Sequence, residues 1–159
     1  MAALANTRAW YLRPLIMLAL ETGMRRGELL ALEWNNIDLD RRLASLATSK
    51  NGHGRSIPLT PRAVDVISGI EVRDSRVFPV EANAVRLSWE RLRKRAGLES
   101  VKLHSMRHEA ISRMFELGLS IPEVSLVSGH RTLSCLQRYT HIKPENVAEK
   151  MARLSARSE

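Results

Sequence analysis

His104-Ser105-Met106-Arg107-His108-Glu109-Ala110-Ile111-Ser112-Arg113-Met114-Phe115-Glu116-Leu117 is the stretch whose periodicity is clearest. Turned by about 100° per residue, Ser105, Glu109, Ser112, Arg113 and Glu116 fall between roughly 80° and 180°, a solvent face. Met106, Ala110, Ile111, Met114, Phe115 and Leu117 fill the arc from about 200° round to 20°. That is an amphipathic helix, and Gly118 stops it. One side chain breaks the pattern. Arg107 points into the apolar arc at roughly 300°, with His104 and His108 at the edge of that arc. A core-facing arginine is costly unless it meets an anion or hydrogen-bonding partners. Two readings stand. The first turn of a helix favours an anion; alternatively, Arg107 forms an internal ion pair with an acid such as Glu28 or Glu33.

Outward from this helix the same period recurs. Ala9–Glu21 reads as a helix closed by Gly23, and Arg25 to about Trp34 as a second carrying Leu29, Leu30 and Leu32. Pro61–Ser68, Ala82–Ala96, a short helix from Ser120, Thr132 to about Tyr139, and Pro144–Arg157 complete the set. Ser120-Ile121-Pro122-Glu123 has capping-box spacing, and Gly129 closes that helix. Leu43–Thr48 and Arg55–Leu59 flank Asn51-Gly52-His53-Gly54 and read as a hairpin. The expected class is mainly α with one small antiparallel sheet.

The chain has 159 residues, 44% hydrophobic, which suits one domain. A single cysteine rules out a disulfide framework, and Cys135, in a Leu-containing helix, reads as a small core residue. No 18-residue uncharged run and no secretory leader is present, so a membrane span is not expected and the cytoplasm is the expected location. Lys and Arg number 25 against 17 Asp and Glu, a net charge of +8. A domain this basic points to a polyanionic partner. The densest cluster, Arg91, Arg93, Lys94 and Arg95, reads as the outer face of a helix and as a candidate DNA-binding surface.

Other placements bear on chemistry. Arg25 follows a helix-ending Gly and opens the next helix, where free backbone N–H groups make an anion site; a solvated turn is the alternative. Lys50 stands beside the Gly-rich turn, able to swing toward a ligand. His104 and His108 have the i, i+4 spacing of zinc ligands, but the His-Glu-x-x-His order is absent and no carboxylate cluster suggests a two-metal site. No Walker loop, dinucleotide fingerprint or Gly-x-Ser-x-Gly elbow occurs, so no cofactor is expected.

Four segments in order resemble the tyrosine recombinases, the phage integrases. Thr22-Gly23-Met24-Arg25, followed by Glu28-Leu29-Leu30-Ala31-Leu32-Glu33-Trp34 and Ile37-Asp38, is similar to the family's first arginine box. Ser49-Lys50-Asn51-Gly52 with Arg55-Ser56-Ile57-Pro58-Leu59 resembles its hairpin lysine segment. His104-Ser105-Met106-Arg107-His108 resembles its His-x-x-Arg box, and Ser128-Gly129-His130 with Gln137-Arg138-Tyr139-Thr140-His141 its Gly-His and nucleophile boxes. The resemblance spans about residues 8–145, leaving 146–159 as a C-terminal tail on a single catalytic domain.

The resemblance implies a DNA breaking-rejoining enzyme needing neither metal nor ATP. Tyr139 would attack a scissile phosphate in double-stranded DNA, leaving a 3′-phosphotyrosyl link. Arg25 and Arg107 would hold the non-bridging oxygens, Lys50 would protonate the leaving oxygen, His104 would assist proton transfer at the tyrosine, and His130 would hydrogen-bond the phosphate. His108 and Glu28 would be supporting positions. The C-terminal segment implies a homo-tetramer assembled on DNA from monomers. Relatives carry an upstream DNA-binding domain that this chain is expected to lack. Ser105, Met106 and Glu109 depart from the commoner His-Asp-Leu-Arg-His-Thr box, yet two face solvent and Met106 conserves core volume. Three other functions remain to be discriminated: a type IB topoisomerase-like nicking-closing enzyme, a catalytically silent DNA-binding domain, and a metal-free ribonuclease in which Tyr139 would have no role.

Overall fold

The structure is a computed structural model that describes residues 7–46, 54–130, 132, 134–137, 139 and 144–156, the side chains of 146, 153 and 154 aside. Its first helix, α1 (Leu12–Thr22), buries Leu12, Leu15, Ile16, Leu18 and Ala19, so it is apolar on more than one face and lies at the centre. Each fully buried leucine contributes about 1.5–3 kcal/mol. The helix ends because Thr22 Oγ1 donates to the Leu18 carbonyl at 2.6 Å and accepts from the Met24 N–H at 3.2 Å. Gly23 then turns left-handed at φ 64°.

The short α2 (Arg26–Leu30) follows. It stops four residues before the expected Trp34, for a long-range reason. The Leu32 carbonyl accepts from the Val77 N–H at 2.9 Å, the Trp34 N–H donates to the Ser75 carbonyl at 3.0 Å, and Glu33 bridges Arg76. A segment held extended by a partner some forty residues away cannot continue a helix. A single 3₁₀ turn at Trp34–Asn36 leads into the sheet.

Three antiparallel strands lie in chain order, β1 (Ile37–Asp38), β2 (Leu43–Leu46) and β3 (Arg55–Pro58). Ala44 pairs with Ile57 and Leu46 with Arg55. Ala44 and Ile57 are wholly buried, which fixes the face the sheet turns to the core. The two-residue β1 was not expected from the sequence. Lys50 and the Asn51–His53 part of the turn lie outside the described residues, as do the last two residues of the first expected arm.

Helices α3 (Pro61–Ser68), α4 (Ala82–Arg95), α5 (Ser105–Glu116), α6 (Ile121–Ser128), α7 (Ser134–Gln137) and α8 (Pro144–Ser155) complete the fold. α1 packs against α3, α5 and α2. A main core joins Leu15, Leu18, Leu29, Ile57, Phe78, Ile111, Val124 and Leu136, and a second cluster joins Leu12 and Ile16 to Trp89 and Leu92 of α4. In α6 the Glu123 carboxylate accepts from the Ser120 N–H and hydroxyl at 2.6 Å, the expected capping arrangement. The structure is thus mainly helical with one small antiparallel sheet. Among the described residues no helix is long and apolar enough to cross a membrane.

Cys135 and Leu117 also differ from the sequence reading. Cys135 is exposed rather than in the core, because in the four-residue α7 the inward position goes to Leu136, which is 0% exposed. Leu117 is 75% exposed, because it lies at the C-terminal cap of α5, beyond the packed turns.

Candidate active site

Arg107 sits in the first turn of α5 and is only 4% exposed. Its Nη1 donates to the Gly23 carbonyl at 2.5 Å, and its Nη2 to the Ser128 carbonyl at 2.7 Å. Both acceptors are helix-end carbonyls, of α1 and α6, where unpaired C=O groups carry partial negative charge. Arg107 therefore reaches the core as the wheel indicates, and its direct partners are neutral carbonyls rather than Glu28 or Glu33. Burial, with the nearby Arg25 charge, pulls its pKa down to about 10. A cation held this way retains its charge for an anion.

Arg25 caps the start of α2, and its side chain is half exposed. Its backbone N–H, read from the sequence as free for an anion, donates to Glu28 Oε2 at 2.8 Å, and its Nη1 to Glu28 Oε1 at 2.9 Å. The carboxyl three residues on has taken the place of an external anion at that N–H. Arg25, Gly27, Leu103, His104 and Arg107 line one cavity of about 340 Å³.

Glu28 has a second partner. Arg55 of β3 donates Nη1 to Glu28 Oε1 at 2.8 Å and Nη2 to Oε2 at 2.9 Å, while its Nε reaches the Val127 carbonyl at 3.3 Å. Burial pushes the Glu28 carboxyl up, but the hydrogen bonds from Arg55 and Arg25 and the charge of Arg55 outweigh it and hold the pKa below the usual value. Arg55 was not singled out as a functional residue from the sequence. A signal exists: strand alternation puts it in phase with the buried Ile57, on the inward face.

His130 follows α6. Gly129 provides the left-handed turn at φ 67°, and a Cβ there would lie 2.7 Å from the Arg55 guanidinium carbon. The His130 Nδ1 and the Ser128 hydroxyl share a hydrogen bond of 2.7 Å, and Arg107 Nη2 is 3.4 Å from the ring nitrogens.

Tyr139 follows α7, its N–H donating to the Leu136 carbonyl at 2.9 Å. Its hydroxyl and His108 Nδ1 share a short hydrogen bond, and the rings stack with centroids 5.9 Å apart. His104 packs edge-on against His108, centroids 4.8 Å apart. Burial, then the charges of His108, Arg107 and Arg25, lower the His104 pKa below 6.5, so its ring is neutral at neutral pH. The ring touching the phenol is thus His108, whereas the family resemblance gives the tyrosine's proton transfer to His104.

Arg25, His104, Arg107, His130 and Tyr139 accordingly belong to one connected neighbourhood. Lys50 cannot be added to it, lying outside the described residues. Arg91, Lys94 and Arg95 project from the far half of α4, and Arg93 donates to the Glu99 carbonyl at 2.6 Å. None of these four lines the cavity.

The sequence matches the phage integrase family over residues 1–146. A shufflon-specific DNA recombinase of Escherichia coli is 43% identical over 136 residues, covering 84% of this chain and 35% of that protein. A tyrosine recombinase XerC of Xanthomonas campestris pv. campestris is 30% identical over 150 residues, 86% of this chain and 46% of that one. The chain spans between about a third and a half of these relatives' lengths. The catalytic domain of bacteriophage HP1 integrase superposes with a TM-score of 0.76 at 23% identity, covering 95% of this chain and 86% of that one. The Tn1549 transposon integrase, solved with circular intermediate DNA, gives 0.74 at 17% identity over 96% and 64%. These structural likenesses establish the shared fold.

Proposed function

Because the chain belongs to the phage integrase family, the tyrosine recombinases, we propose that it is one catalytic domain, over residues 1–159, of a site-specific recombinase that cuts and rejoins double-stranded DNA. The observation that carries this reading is the Tyr139 hydroxyl held by His108, the residue that follows a buried Arg107 whose guanidinium is bonded to backbone carbonyls and, among the described residues, to no carboxylate.

The Tyr139 oxygen attacks the scissile phosphorus. The bond to the 5′-oxygen breaks, a 3′-phosphotyrosyl bond forms, and the phenolic proton passes to His108 Nδ1. Lys50 supplies the proton that leaves with the 5′-oxygen. Arg25 and Arg107 bind the non-bridging oxygens and offset charge developing in the transition state, with His130 as a further hydrogen-bond partner. His104, neutral and packed on His108, keeps that ring aligned. Attack by another strand's 5′-hydroxyl reverses the step, so the phosphotyrosine conserves the bond energy and no ATP is consumed. The exposed Val147 and Met151 on α8 fit a helix that docks on a neighbouring copy, consistent with monomers assembling as tetramers on DNA in the cytoplasm.

Covalent trapping tests this. Wild type and Tyr139→Phe are incubated without metal, at low salt, with nicked duplexes whose cleaved fragment diffuses away, then run on denaturing gels. A shifted band from wild type alone is expected. A band that survives in Tyr139→Phe overturns the nucleophile, and no band on the junction DNA of its own genetic element overturns the activity.

A further inference from the structure

Resting on the strand-cleavage reading, we propose that Arg55 is a positioning residue for that reaction: through Glu28 it governs where the Arg25 guanidinium lies and how much of its charge stays available. Arg55 is unsuited to bind DNA itself. Its side chain is 19% exposed, and Nε, Nη1 and Nη2 each already have a partner within the chain. Those partners join three elements that meet at the site: β3, five residues after Lys50; α2, which carries Glu28 and is capped by Arg25; and the end of α6, which leads to His130. The guanidinium also lies over Gly129 so closely that a methyl group there would not fit.

The carboxylate of Glu28 has about four acceptor sites, and the structure fills four: the Arg25 N–H, Arg25 Nη1, and the two Nη atoms of Arg55. Arg55 takes the two-pronged geometry, which leaves Arg25 bound by one nitrogen with its other side open. Without Arg55, a half-buried carboxylate would face Arg25 alone. The fork-to-fork pair is then the favoured geometry, so the Arg25 guanidinium would turn onto Glu28 and its charge would be neutralised.

The test uses Arg55→Met, Arg55→Lys and Arg55→Met/Glu28→Gln. Rates of covalent adduct formation are measured on nicked junction duplexes from its own genetic element. The scissile linkage is either a normal phosphodiester or a neutral methylphosphonate. Arg55→Met should slow the phosphodiester reaction by about 10²-fold, the size of one lost charge-stabilising donor. On the methylphosphonate, which lacks one charged oxygen, the slowing should be under about tenfold. Adding Glu28→Gln should restore about tenfold on the phosphodiester, because Arg25 is released. Arg55→Lys, which retains charge without the fork, should fall between. Equal slowing on both linkages, in step with a fall in melting temperature, would overturn the proposal and leave Arg55 a purely structural residue. Absence of any Tyr139-dependent adduct from wild type is a distinct result: it removes the cleavage reading, and this inference with it.

Discussion

Replacing Arg107 by methionine separates the structural part this residue plays from the phosphate-binding part proposed for it. The drop to about 10, well below arginine's ordinary range, means that holding the cation in place costs roughly 3 kcal/mol. Because the folded value is the lower one, that cost is present at every pH below about 10 and is relieved only as pH climbs from there toward arginine's ordinary range. Methionine removes the cost, but the Gly23 and Ser128 carbonyls lose their donor, at about 1–3 kcal/mol each. The balance runs from roughly 1 kcal/mol of stabilisation to 3 of destabilisation. At about 2–4 °C per kcal/mol for a domain of this size, Tm should fall by no more than about 12 °C. Cleavage, by contrast, should drop by about 10²–10³. Scanning calorimetry and covalent trapping on one preparation check both. A Tm loss beyond about 20 °C would refute the charge-cost argument, and trapping within about threefold of wild type would refute the phosphate role.

Further outcomes follow from other contacts. The lowered His104 pKa means that just below pH 6.5 the unfolded chain binds more protons than the folded one, so stability should fall as pH drops through that range. In His104→Gln, urea midpoints at about pH 5.5 and 7.5 should lie closer together than in wild type; an unchanged gap counts against the shift. Gly129→Ala and Gly118→Ala both place a side chain at positive φ, a strain of roughly 1–3 kcal/mol. Only Gly129→Ala also drives a methyl against Arg55, so it should lose trapping activity at least tenfold more than Gly118→Ala; similar activities would contradict this packing. Leu136→Ala, at a fully buried site, should cost about 2–5 kcal/mol by urea denaturation. Because Leu136 anchors the turn before Tyr139, trapping should fall as well, and full activity would show that the tyrosine is held by something else.

What was legible in the sequence depended on how local its cause is. Arg107's inward aim follows from helical period alone, and the stops at residues 23, 118 and 129 from the glycines that stand there. The early end of α2 does not. Leu32 and Trp34 bond to residues 75–77, and no pattern within residues 25–34 encodes that pairing. Cys135 and Leu136 are adjacent in a helix of four residues, too short for periodicity to say which faces inward. His104 and His108 both lie at the edge of the α5 apolar arc, so their roles are separated only by where Tyr139, thirty-one residues beyond His108, comes to rest. Arg55 shares the inward phase of Ile57, but two residues of alternation in a four-residue strand are easily overlooked beside a conspicuous lysine.

On the proposed strand-cleavage reading, the charge pattern of the site suits the transition state better than the bound substrate. Among the described residues, Arg25 and Arg55 contact the carboxylate of Glu28 and Arg107 lies near by without touching it, a surplus of two positive charges over that one carboxylate, and neutral His104 adds none. A phosphodiester carries one negative charge, while the pentacovalent arrangement formed by an attacking phenolate carries two. Pairing Arg107 with a carboxylate would have stabilised the free protein and removed that match. Its tethering to helix-end carbonyls fixes the guanidinium without neutralising it, so the interaction is strongest where charge is greatest. The single carboxylate is not redundant within this scheme. Shared between Arg25 and Arg55, it holds two like charges close together and engages only one nitrogen of the Arg25 guanidinium, which on the proposed reading leaves the rest for the phosphate.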